Sequence, residues 1–96
     1  MKFVASLKWI PYCEGGRKKP PLVGSLYSPV ITWNACEKNE LWSIVFTCPE
    51  ADDNGIIIEF MFLSPNAPLN TLCEGMAFKL LEGEKSVAIG SIISVL

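Results

Sequence analysis

The chain of 96 residues contains no histidine. That absence removes Ser-His-Asp and Cys-His nucleophilic schemes and most general-base chemistry at neutral pH. It also leaves zinc only an all-thiolate option, through Cys13, Cys36, Cys48 and Cys73, which form no C-x-x-C pair and are widely spaced. Two disulfides are an alternative use of the same four thiols. The opening residues carry no charged-then-apolar leader with a small-residue cleavage site. A reduced, cytoplasmic protein with thiols in core or turn positions is therefore expected. Positive charge is scarce as well: eight Lys and Arg stand against ten Asp and Glu, for a net charge of −2. Salt-driven nucleic-acid binding over a broad basic surface is excluded by that balance. No apolar run approaches the ~20 residues of a membrane helix, so no membrane association is expected. Acidic residues cluster in turn-like stretches, "EADDNG" and "LEGEK", where solvated surface charge accounts for them. No enzyme activity, metal or cofactor is expected.

What the chain does have is apolar residues, half of the total against 19% charged. A disordered, solvating segment is thereby excluded, and the length suits a single domain over residues 1–96. "KFVASLKWI" alternates, with Phe3, Ala5, Leu7 and Trp9 on one face and Lys2, Ser6 and Lys8 on the other. Period two predicts a half-buried strand. "LVGSLYSPVITW" (22–33) reads as an extended segment with a bend or bulge at Gly24 and Pro29, on the edge of a sheet. Residues 34–40 are turn-like, and "LWSIVFTC" (41–48) is a strand closed by Pro49. Asn54-Gly55 supplies a turn before "IIIEFMFL" (56–63), and residues 64–71 form a loop. Residues 75–96 read as two strands joined at Glu82-Gly83-Glu84. No stretch sustains a helical period with caps. Six strands separated by short turns predict a small antiparallel barrel or sandwich, with closure into a barrel removing the exposed edges of such apolar strands.

"CEGGRKKPP" (13–21) combines two glycines, three consecutive cations and two prolines. A phosphate cradle needs its glycines around a Lys and Ser/Thr, after a strand and at the opening of a helix. Pro20-Pro21 block that helix, so no nucleotide site is expected. The stretch reads as a basic loop between the first two strands.

Three segments resemble the C-terminal domain, domain III, of the translation elongation factor Tu family. They are the opening strand "KFVASL", the loop "EGGRKKPPLVG" and the terminal hairpin "GMAFKLLEGEKSVAIGSII", in the family's order and spanning roughly residues 2 to 95. The resemblance implies a six-stranded, closed antiparallel β-barrel. It also implies surfaces for the family's GTPase domain and for the T-arm of aminoacyl-tRNA. A GTP-binding domain ahead of this one is not part of the chain, so a stand-alone barrel without GTP hydrolysis is expected. By the resemblance, the "EGGR" loop falls on Glu14, Gly15, Gly16 and Arg17, and the hairpin that meets tRNA on Glu82, Gly83 and Lys85. Where the family has a basic residue, Glu-Gly-Gly and another basic residue, this chain has Leu81, Glu82-Gly83-Glu84 and Lys85. One cation is replaced and one anion added where phosphate would lie, which weakens contact with tRNA. After Gly24 the family's aromatic, arginine and proline become Ser25-Leu26-Tyr27.

The candidate partner-binding residues are Arg17, Lys18, Lys19, Glu82, Gly83, Lys85, Trp33 and Trp42. The cations have a plainer role as solvated turn charges, and the glycines as positive-φ turn residues. Trp9 belongs on a core face. Trp33 and Trp42 border a turn-like stretch, where an exposed tryptophan would mark an interface. Two functions fit. One is a non-catalytic, translation-related binding module acting through protein–protein or weak tRNA contact. The other is a small acidic immunity- or antitoxin-like protein that occludes a toxin enzyme.

Overall fold

Alternation of buried and exposed residues carries through almost every strand of the computed structural model, which describes residues 2–17, 19, 21–33, 41–50, 55–64, 66–67 and 72–96. The strands are β1 (Phe3–Trp9), β2 (Leu26–Tyr27), β3 (Val30–Trp33), β4 (Trp42–Thr47), β5 (Ile56–Phe62), β6 (Ala77–Glu82) and β7 (Lys85–Val95). A three-residue 3-10 turn, Tyr12–Glu14, is the only helical piece among the described residues. All pairings are antiparallel, in the order β4-β3-β6-β7-β1-β5, and β5 returns to β4. The result is a closed six-stranded barrel with the short β2 added outside the ring. Closure satisfies the backbone of both terminal strands and leaves no long apolar edge exposed.

Inward residues of every barrel strand meet in one core. Phe3, Ala5 and Leu7 of β1 face Ile56, Ile58 and Phe60 of β5, with Ile31, Ile44, Leu80, Val87 and Ile92 completing it. Phe60 sits at the centre of an aromatic cluster. It stacks on Phe3 at 5.3 Å and meets the edges of Phe62 and Phe78 at 6.0 and 5.9 Å. "IIIEFMF" is apolar on both faces, yet in β5 it obeys period two: Ile57 and Met61 lie outside and exposed.

One glycine admits a close approach within the core. Gly90 faces inward, and a Cβ there would lie 2.6 Å from the Phe78 ring and 2.5 Å from the Ser6 carbonyl oxygen. The space a side chain would take is filled by Phe78. The hairpin turn between β6 and β7 falls on Gly83-Glu84, with Gly83 at φ +62°. β7 is long enough to pair along both neighbours, and its register shifts once against each. One shift follows Leu80, which lets both Val87 and Ala88 be buried.

Segment 22–33, expected on an edge, divides: β2 pairs with β4 alone, but β3 is an interior strand. β3 lies between β4 and β6, and β2 continues its line along β4 in unbroken register: Leu26↔Thr47, Tyr27↔Phe46, Val30↔Ser43, Ile31↔Trp42. Pro29 sits within that line and has no N–H for the ladder. Its carbonyl still accepts from Ile44 N–H at 3.1 Å. The missing donor is supplied by Ser28, whose hydroxyl donates to the Ile44 carbonyl at 2.7 Å. A side chain thus takes the place of one backbone amide, and proline becomes tolerable in an interior strand.

The substitution Ser28→Ala strands the Ile44 carbonyl and should cost about 1–2 kcal/mol in urea unfolding. Pro29→Ala restores an amide donor, so the same Ser28→Ala change in that background should cost markedly less. Equal costs in both backgrounds would show that the hydroxyl does not replace the amide.

Candidate functional site

The loop after β1 turns sharply because its glycines do different jobs. Gly15 has φ +96° and closes the 3-10 turn, its N–H donating to the Tyr12 carbonyl at 3.0 Å. Gly16 does not have positive φ, which corrects the reading of both glycines as left-handed turn residues. It is buried against the backbone, where a Cβ would fall 1.8 Å from the Ile10 carbonyl oxygen. Its N–H donates to the Pro11 carbonyl at 3.0 Å. This pressed turn aims Arg17 back over the barrel toward the β6–β7 hairpin.

There Arg17 Nη1 donates to Glu82 Oε2 in a short ion pair, while its Nε holds the Lys19 carbonyl at 2.9 Å. The Tyr27 hydroxyl donates to the same carboxylate oxygen at 2.8 Å, and the Arg17 guanidinium lies 5.3 Å from the Tyr27 ring centre. The Tyr27 ring also contacts Trp9 and Phe46. Alongside, Lys85 Nζ stands 5.7 Å from the Tyr12 ring centre. Two short motifs far apart in the chain are therefore joined by one carboxylate shared between a guanidinium and a phenol.

The electrostatics follow from this packing. Burial disfavours the Arg17 charge, but its hydrogen bonds and attraction to Glu82 and Tyr27 outweigh that and raise its pKa. Burial first, and then the bond to Glu82, push the Tyr27 phenol well above its usual range, with Arg17 pulling the other way. Beneath the loop, Cys48 is buried with Sγ 3.5 Å from the Pro21 carbonyl oxygen. Desolvation raises its thiol pKa, which Arg17 partly offsets.

Of the residues singled out in the sequence, Arg17, Glu82, Gly83 and Lys85 are brought together on one face. Lys19 is exposed beside them, and Lys18 lies outside the described residues. Trp33 is not an exposed interface residue: it is 5% exposed, because it shares the inward phase of Ile31. Its ring meets the edge of Phe62 at 5.8 Å. Trp42 is half-buried and packs against the core in phase with Ile44. Trp9 is likewise packed against the core rather than sealed within it. Tyr12 and Tyr27 were missed. The only signal for Tyr27 was its place in Ser25-Leu26-Tyr27 beyond Gly24, where the chain departs from the family's pattern.

Cys13 and Cys73 are exposed, and Cys36 lies outside the described residues. Among the described residues no group of three His, Cys, Asp or Glu side chains is placed to hold a metal ion. No described helix is long and apolar enough to cross a membrane. No protein-family model and no curated protein matches the chain.

The Tyr27 shift has a definite sign. Its pKa is higher folded than unfolded, so the phenol's contribution is fully present below the unfolded value near 10 and lost as pH rises through the folded value. Unfolding free energy should fall more steeply above about pH 10 in the wild type than in Tyr27→Phe. Identical pH profiles in denaturant titrations would contradict a hydrogen-bonded, desolvated phenol.

Proposed function

We propose that this barrel is a non-catalytic binding module related to the C-terminal domain of elongation factor Tu, and that it engages a translation-related protein through the loop–hairpin face. The observation that carries this reading is the Arg17–Glu82–Tyr27 cluster. It joins two of the three segments that bear the resemblance, at "EGGR" and "LEGEK". Binding fits this face better than catalysis, because its principal cation is consumed by a structural ion pair.

A protein partner is favoured over tRNA by the charge balance. Described residues of the face contribute Arg17, Lys19 and Lys85 against Glu14, Glu82 and Glu84, so cations and anions cancel. Phosphate contact would meet carboxylates at the hairpin tip. Next to the loop, Leu22 is 81% exposed and Val23 61%, apolar surface of the kind that protein interfaces cover. Contact with tRNA remains a weaker, secondary mode of the same face. A toxin-occluding immunity protein is the second reading, and the exposed carboxylates Glu14 and Glu84 favour it by offering a substitute for phosphate.

Affinity capture from a lysate of the source cells, with and without ribonuclease, tests the assignment. Ribonuclease-insensitive capture of a translation factor is expected, with loss on Lys85→Glu or Leu22→Asp. Capture of a nuclease or other toxin would move the assignment to the second reading. Capture that vanishes with ribonuclease would overturn the protein-partner reading.

A further inference from the structure

On the outer wall of the barrel, sharing no residue with the loop–hairpin face, a groove of about 620 Å³ crosses β1, β7, β6 and β3. Its small floor residues, Ser6, Ser91 and Ala77, lie side by side, with Ser6 paired to Ser91 and Ala77 to the same serine. One row along, Lys8 and Lys79 both pair with Ile89 from opposite sides, and Thr32 pairs with Lys79. We propose that this groove binds a phosphate monoester.

The register carries the argument. Lys8 and Lys79 flank one residue, so their backbones stand two inter-strand spacings apart, roughly 10 Å. Two flexible ammonium groups at that spacing can converge on a single anion above Ile89. Among the described residues neither lysine makes an ion pair, whereas Lys2 and Arg17 are each matched to a glutamate. The described lining contains no carboxylate. In a chain of net negative charge, this is a concave place with two unmatched cations.

Hydroxyl groups complete the site. Ser6 and Ser91 share one hydrogen bond at 3.1 Å. That bond uses one of their two hydroxyl hydrogens and leaves the other available to an acceptor. Thr32 adds a further donor beside Lys79. A phosphate monoester carries close to two negative charges at neutral pH and three strong acceptor oxygens, matching two cations and a set of hydroxyls. A carboxylate would match only one. Ile89, which is exposed, and Ala77 supply apolar surface for the organic part of the ester.

The inference stands apart from the proposed function, since it concerns another surface. The test is a ¹H–¹⁵N NMR titration with inorganic phosphate at fixed ionic strength, chloride serving as the control. Saturable shifts of the Ser6, Lys8, Lys79 and Ser91 amides are expected, weakened about fivefold by Lys8→Gln or Lys79→Gln and unchanged by Lys2→Gln. An unaltered spectrum elsewhere in each variant establishes folding. Shifts that chloride reproduces, or that persist in the Lys8→Gln/Lys79→Gln double variant, would overturn the site. Co-sedimentation with phosphatidylcholine vesicles, with and without phosphatidate, then separates the sources. Phosphatidate-dependent binding identifies a lipid headgroup, and its absence alongside phosphate binding identifies a free ester. Binding of a short RNA duplex in preference to phosphate would overturn the monoester assignment.

Discussion

Closure of the ring between β4 and β5 is the constraint on which the rest depends. That ladder is brief, Ile44↔Phe62 and Val45↔Met61, with one further bond from Leu63 N–H to the Ser43 carbonyl. So few backbone bonds contribute little by themselves. The seam is held chiefly by what packs behind it, where Phe62 meets Phe3, Phe60 and Trp33. The aromatic cluster spans β1, β3, β5 and β6, so apolar burial on four strands supports a joint between two. Burying Trp33 serves this joint, and it explains why that side chain is withheld from the surface.

Closure also determines what reaches the surface together. Once β1 lies beside β7, the loop following β1 falls against the β6–β7 hairpin, and Ile10 N–H bonds the Val87 carbonyl at 2.9 Å. Arg17 then meets Glu82 without any local sequence relation between them. β2 enters from the same side and brings Tyr27 to the shared carboxylate. The neutralised face is thus a product of topology. A cation that looks available along the chain is spent once the strands are assembled.

Local physics was readable before the fold was seen. Period two marked β1, Pro49 marked the end of β4, and glycine with flanking charge marked the turn at Gly83. Strand count and the hazard of open apolar edges left a small barrel or sandwich, and the resemblance implied the closed six-stranded ring. Relations across the ring were not readable. Pro29 suggested an edge, because nothing local says that the Ser28 hydroxyl can serve the Ile44 carbonyl. Trp33 suggested exposure because a polar stretch follows it, although its phase with Ile31 was available and pointed inward. The groove depends on Ser6 lying next to Ser91, 85 positions apart. Linear motifs do not encode such neighbours.

The placement of β1 has a consequence for how the barrel is made. Phe3 pairs with Phe60 on one side and with Val95 on the other. During synthesis, at roughly 5–20 residues per second, the first strand emerges with neither neighbour in existence. Its apolar face and both its edges wait for seconds, open to chaperones or to a sister chain. The ring cannot assemble strand by strand as it is translated, because its earliest piece is locked by its latest. Such long-range pairing makes for slow folding, and the ring can close only once β7 has been made.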